Sequence, residues 1–156
     1  MRPPDCRAKK DTSYAEKHFD LLKQWADYLT EYGYNPENQL FTDDFAGHLA
    51  HNCNLSVKAI AGIAAWRMVL NMMNKKDEAE GYNKKARELA EAWKKDAFDG
   101  NFYRLAFDQK NSRSIKYNLV WDKLFEMNIF DEDIFKKEVA YYKTKINRAR
   151  LTKIFD

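Results

Sequence analysis

The feature that most constrains this chain is the stretch NLSVKAIAGIAAWRMVLNMM, residues 54 to 73. Read as a helix, it is apolar on nearly every side: Leu55, Val57, Ile60, Ile63, Trp66, Val69 and Leu70 do not share one stripe. Such a helix must be covered on several faces at once. Its middle is thin, because Ala59, Ala61, Gly62, Ala64 and Ala65 carry little or no side chain. Neighbouring helices can therefore approach closely.

The flanking sequence supplies those neighbours. Asp77 and Glu80 form a capping box before a stripe of Tyr82, Ala86, Leu89, Ala90, Trp93 and Ala97, with charge elsewhere. That pattern predicts an outer helix with one buried face. Upstream, Ser13 and Glu16 make a second box, opening a periodic run from Tyr14 through Leu22, Trp25 and Leu29 to Tyr32. Gly33 and Pro36 stop it. Downstream, NFYRLAF (101–107) alternates with period two after the Asp99-Gly100 turn and predicts a short strand. A fourth helix is expected near 115–127. A fifth follows Asp131, with Ile134, Phe135, Val139, Tyr142 and Ile146 inward. Inner helix followed by outer helix is the alternation of layered α/α architectures. The expected class is all-α: antiparallel helical hairpins, with a short β segment near 101–107.

Composition narrows the function classes. The chain has 156 residues, 45% apolar and 15% aromatic, enough for one sizeable core. Its net charge of +3 comes from 27 basic and 24 acidic residues that are interspersed. Basic clusters fall only near the ends, at Arg2, Arg7, Lys9 and Lys10, then Lys143, Lys145, Arg148, Arg150 and Lys153. Without an aromatic-basic platform they read as solvated surface, so no nucleic-acid partner is expected. Cys6 and Cys53 form neither a CxxC pair nor a disulfide framework. The start MRPPDCRAKKD has no signal-peptide apolar region, and the longest uncharged apolar run, Ala59 to Trp66, is too short to span a bilayer. A soluble chain with no membrane partner is expected.

Two stretches could carry chemistry. FTDDFAGHLAHN (41–52) packs Asp43, Asp44, His48, His51 and Asn52 together. His48 and His51 would share a helix face, but Leu49-Ala50 stand where a zincin motif needs an acid next to the first histidine. No metal or cofactor is therefore assigned. A second reading has one aspartate capping a turn while the histidines and Asn52 satisfy backbone groups at a helix start. A third is catalytic: an ionised carboxylate, histidines carrying protons, and Asn52 or Asn54 as orienting donors. The other stretch is KYNLVWDKL (116–124), where Tyr117, Trp121 and Asp122 could line a site or belong to ordinary packing. No glycine-rich phosphate loop, GxSxG elbow or Cys-His signature is present.

These same stretches carry a family resemblance. NPENQLFTDDFAGHLAHNCNLSVKAIAGIAA (35–65) and YNLVWDKLFEMNIF (117–130) resemble the six-hairpin domain of the bacterial and fungal glutaminase A family. LLKQWADYL and EVAYYKTKINR resemble it in the same order, so the likeness covers roughly residues 14 to 148. The resemblance implies an (α/α)6 toroid, hydrolysis of glutamine to glutamate and ammonia, and an extracellular or periplasmic setting. Asp43, Asp44, His48, His51 and Asn52 fall on the family's acid-histidine segment. Tyr117, Asn118, Trp121 and Asp122 fall on its second segment. We take Asp43, Asp44, His48 and Asp122 as candidate catalytic groups, and His51, Asn52, Tyr117, Asn118 and Trp121 as candidate substrate contacts.

The departures are as informative. A full toroid needs twelve helices, whereas this sequence supplies about five. ARLTKIFD follows Arg148, and NSRS precedes the second segment, where the family tends to carry a Gly-Thr-Trp-Ser-like turn. The expectation is a single partial domain over 1–156, with poorly ordered ends at 1–12 and 149–156. As a fragment of a longer parent, it need not be active alone. The uncovered rim of helix 55–70 then predicts self-association. Two alternatives stand beside the amidohydrolase: a non-catalytic helical module binding carbohydrate or protein through its aromatic residues, and a glycosidase-like six-hairpin enzyme acting on glycans.

Overall fold

The computed structural model describes residues 11–37 and 49–145. The chain ends beyond Asp11 and Lys145, most of the tails expected to be poorly ordered, lie outside the described residues, as does Ile146. Among them the helices are α1 (Ser13–Lys17), α2 (Phe19–Tyr32), α3 (Cys53–Met72) and α4 (Lys76–Asp96). A 3-10 turn (Tyr117–Leu119) then leads into α5 (Val120–Leu124), and α6 is Glu132–Lys145. No strand is present among the described residues, and the class is all-α.

The all-round apolar pattern places α3 at the centre. Val57, Ile60, Ile63, Ala64 and Leu70 are fully enclosed. Over 20 residues, α3 is long and apolar enough to cross a membrane, with mean hydropathy 1.3, but 72% of that window is buried inside the fold. It passes the length test as a core helix does. The chain then reverses at Asn74, which takes the left-handed conformation with φ 59°. The Lys75 N–H donates to the Leu70 carbonyl at 2.9 Å and the Asn74 N–H to Asn71 at 3.1 Å. This pairing is a Schellman closure, and it returns the chain as α4 along α3. Ala79, Ala86, Ala90 and Trp93 form the single buried face of α4, the one-sided pattern its sequence predicts.

Trp93 anchors that interface. Its indole stacks on Tyr103 at 4.8 Å between centroids and meets Phe130 edge-on at 6.0 Å. Its Nε1–H donates to the Cys53 carbonyl at 2.9 Å. On the other flank, α2 crosses α3 where both chains are thin. A Cβ at Gly33 would stand 2.6 Å from Ala59 Cβ and 2.6 Å from the Leu29 carbonyl oxygen. Gly33 has φ −75°, so close approach rather than backbone freedom demands glycine here. Gly33→Ala is expected to cost about 1–3 kcal/mol, read as a lower urea midpoint with an unchanged slope.

Several local expectations are corrected. The predicted strand at 101–107 is reduced to two isolated antiparallel bridges, Phe98 with Tyr103 and Asn52 with Ala106. Side chains take two of its amides: Tyr103 N–H donates to Glu138 at 2.9 Å and Leu105 N–H to Ser112 Oγ at 3.2 Å. The helix expected at 115–127 shrinks to the 3-10 turn and α5, because residues 114–116 run outside it and Glu126 takes φ 52°. Neither capping box forms as drawn. Thr12 precedes α1 and bonds Glu16 through its hydroxyl, and α4 begins at Lys76, so Asp77 sits inside the first turn. The run from Tyr14 breaks at His18. Along α6, Val139 is half exposed while Glu138 is buried.

Candidate functional site

The site is assembled at the N-terminal end of α3. Asn52 has extended backbone angles, and its Oδ1 accepts the Leu55 N–H at 2.9 Å. It is the N-cap, using a side-chain oxygen for one of the unpaired first-turn amides. The preceding His51 takes φ 61°, an uncommon state for a residue with a Cβ. Backbone bonds on both sides hold it there. Its N–H donates to the Pro36 carbonyl at 2.7 Å, and its carbonyl accepts from Phe107 at 3.0 Å. The imidazole Nδ1 lies 2.9 Å from Asn35 Oδ1.

One residue into the helix, the buried Asn54 reaches the second candidate segment. Its Oδ1 accepts the Asn118 backbone N–H at 3.2 Å, while Asn118 Nδ2 donates to the Asn54 carbonyl at 3.0 Å. Asn118 Oδ1 in turn accepts the Trp121 indole N–H at 3.2 Å. This clasp joins stretches 64 residues apart in sequence. It places Asn52, Asn118 and Trp121 around one junction, with Tyr117 partly exposed on the same short turn.

Asp122 has a different outlook. Its carboxylate is buried and accepts the Ile129 N–H at 2.9 Å, and its carbonyl accepts from Met127 at 2.9 Å. Burial pushes the carboxyl above its ordinary pKa, while the N–H groups of Ile129 and Phe130 pull it back. This side chain holds the loop after α5. Asp43, Asp44 and His48 lie outside the described residues. Of the nine candidates, the structure therefore places six, with four meeting at the junction, His51 beside it and Asp122 turned to the following loop.

Sequence reasoning missed a buried polar network behind the junction. Lys116 is buried, and its ammonium donates to the Tyr103 carbonyl at 2.8 Å and the Ser114 carbonyl at 3.0 Å. Its backbone N–H donates to the Tyr142 hydroxyl at 2.7 Å, and that hydroxyl donates to the Glu138 carboxylate. Burial lowers the Lys116 pKa to about 8, and the nearby Glu138 charge partly offsets this. Positions 134, 138 and 142 fall at i, i+4 and i+8, so the helical period itself put Glu138 on the inward face.

Beside the junction runs an apolar groove of about 540 Å3. Ala59 and Gly62 of α3 form its floor, Tyr28 and Tyr32 of α2 one wall, and Trp121 and Phe125 the other. The two rings of the second wall are stacked nearly parallel, 3° apart with centroids at 5.9 Å. Lys58 is its charged lining residue.

Comparison with known proteins gives the family. Residues 4–152 match the family model of the glutaminase A six helical-hairpin domain. A protein named Glutaminase A from Aspergillus oryzae is 31% identical over 139 residues, covering 86% of this chain. A protein named Probable glutaminase from Arthroderma benhamiae is 35% identical over 113 residues, covering 71%. The chain spans 20% and 13% of the lengths of these curated relatives.

Proposed function

Since the chain belongs to the glutaminase A six helical-hairpin family, we propose that it carries part of a site hydrolysing the side-chain amide of glutamine. In this reading α3 and α4 are an inner and an outer helix of an α/α toroid. The observation that supports it most is the Asn54–Asn118 clasp, which brings both candidate segments to one junction. Water adds to the amide carbon as Asp44, which follows Asp43 in the sequence, takes its proton. The tetrahedral oxyanion then collapses as a protonated His48 gives its proton to the amide nitrogen, the C–N bond breaks, and ammonia departs. Tyr117 and Trp121 contact the substrate, while His51, Asn52 and Asn118 fix the frame. Asp122 supports the site through the Met127–Phe130 loop rather than acting as the base.

Ammonia release from glutamine, measured with a coupled assay on a protein in which this chain is joined to the rest of the toroid, tests the reading. Turnover is expected, falling at least ~100-fold in Asp44→Asn. Asp122→Asn is expected to lower stability more than turnover. No ammonia above the buffer rate, or near-normal hydrolysis in Asp44→Asn, would overturn the proposal.

A further inference from the structure

The groove has a counterpart on the surface of α2. Leu21, Trp25, Tyr28 and Tyr32 fall at i, i+4, i+7 and i+11, one face of the helix, and are 44%, 57%, 61% and 54% exposed. The opposite face of α2, through Phe19, Leu22, Ala26 and Leu29, is the one packed into the core. So α2 is apolar on two faces and covered on one. The exposed stripe is continuous with the groove, since Tyr28 and Tyr32 belong to both. With aromatic side chains of 150–250 Å2 each, Trp25, Tyr28, Tyr32 and Trp121 leave on the order of 400 Å2 uncovered. That is half of what each partner of a standard interface buries, before the aliphatic residues are added.

The groove has the dimensions of a helix seat. From Leu55 to Met72 its floor follows α3 for about 25 Å, and the small residues at its centre allow helix axes to approach to about 8 Å. Lys58 is exposed in this seat and has no ion-pair partner among the described residues. A fitting occupant is therefore a helix with an aromatic ridge flanked by carboxylates. α2 is such a helix: Glu31 adjoins Tyr32, and Asp20 adjoins Leu21.

We propose that this face is a self-association surface, with the exposed ridge of α2 from one copy seated in the groove of a second copy. The arrangement is isologous, because ridge and groove share α2, and each copy both offers and receives it. Acids flanking the ridge meet Lys58 of the opposite copy.

Sedimentation equilibrium of the whole chain tests this. A dimer is expected at ~10–100 μM, the range in which modest interfaces associate. Tyr28→Glu should weaken it at least tenfold without altering the circular dichroism spectrum or, at dilutions where both proteins are monomeric, the melting temperature, since the side chain is exposed. Lys58→Glu and Glu31→Lys should each weaken it, and the double variant should recover part of the loss. A chain that stays monomeric at ~200 μM overturns the proposal. So does a dimer indifferent to Tyr28→Glu and to the charge exchange, or a groove that takes only a helix from a different polypeptide.

Discussion

Trp93→Ala is expected to lower stability by about 3–5 kcal/mol, the range for truncating a large buried aromatic. The indole is wholly enclosed and touches the core from two sides, through Tyr103 and Phe130. Alanine would leave a cavity between α4, the 98–106 segment and the 127–130 loop, which meet in one core cluster. It would also remove the indole's hydrogen bond to the Cys53 carbonyl, a smaller loss because that carbonyl is also an acceptor in the helical ladder of α3. Domains of this size have only about 5–15 kcal/mol in hand, so the variant should be mostly native in buffer yet unfold at much lower urea. Trp93→Phe retains much of the packing and loses the hydrogen bond, and should fall between the two. A loss below ~1 kcal/mol for alanine would show that the outer helix is held by its alanine stripe alone.

Glu138→Ala should be nearly as damaging, at about 3 kcal/mol, because it leaves buried groups without partners. The Tyr103 N–H and the Tyr142 hydroxyl would lose their acceptor, and Lys116 its nearest opposing charge. The network also has a pH signature. The folded pKa of Lys116, about 8, lies below its ordinary 10.5, so between those values the unfolded chain binds more protons. Stability carried by this group is full above pH 10.5 and is lost as pH falls through 8. From pH 8 to 9 the gain should be about 1 kcal/mol. Above 9 the buried Cys53 thiol works the other way, since its pKa is raised to about 12 and the unfolded chain releases that proton first. Tyr103, also raised to about 12, adds to the decline above pH 10. Urea midpoints across pH 7–9 should therefore rise in the parent chain and stay flatter in Lys116→Met. In Glu138→Gln the rise should begin at lower pH, because the charge that favours protonated Lys116 is gone.

The parts of the fold legible in sequence were those where one residue type decides the outcome. Apolar residues on all sides put α3 in the centre, and an alanine stripe with one tryptophan put α4 on its flank. The 101–107 segment deceived because its aromatic and aliphatic residues follow a tight turn, as in a hairpin strand, but its buried positions, Tyr103 and Ala106, are three apart and side chains bind two of its amides. No local pattern encodes Ser112 or Glu138 as the acceptor. Glu138 was passed over for a related reason. A carboxylate on an inward face reads as a register error until Tyr103 and Tyr142 are known to converge on it. At the junction, Asn52 was legible as a cap or an orienting donor because it immediately precedes an apolar run. Asn54 and Asn118 could be named as candidates, but their mutual contact depends on how α4 and the 97–116 crossing return the chain.

That return has a further consequence in the language of chain statistics. Asn54 and Asn118 close a loop of 64 residues, so the junction bears the entropy of bringing those ends together. The cost grows only logarithmically, by about 0.6 kcal/mol for each doubling of loop length. Length added at an open point of the loop is therefore cheap, and Gly100 is such a point, exposed at φ 80° with nothing near its would-be side chain. Length removed is not cheap, because the two antiparallel passes of α3 and α4 must remain matched for the ends to meet. The junction can thus tolerate insertions at the Gly100 turn while remaining intolerant of shortening.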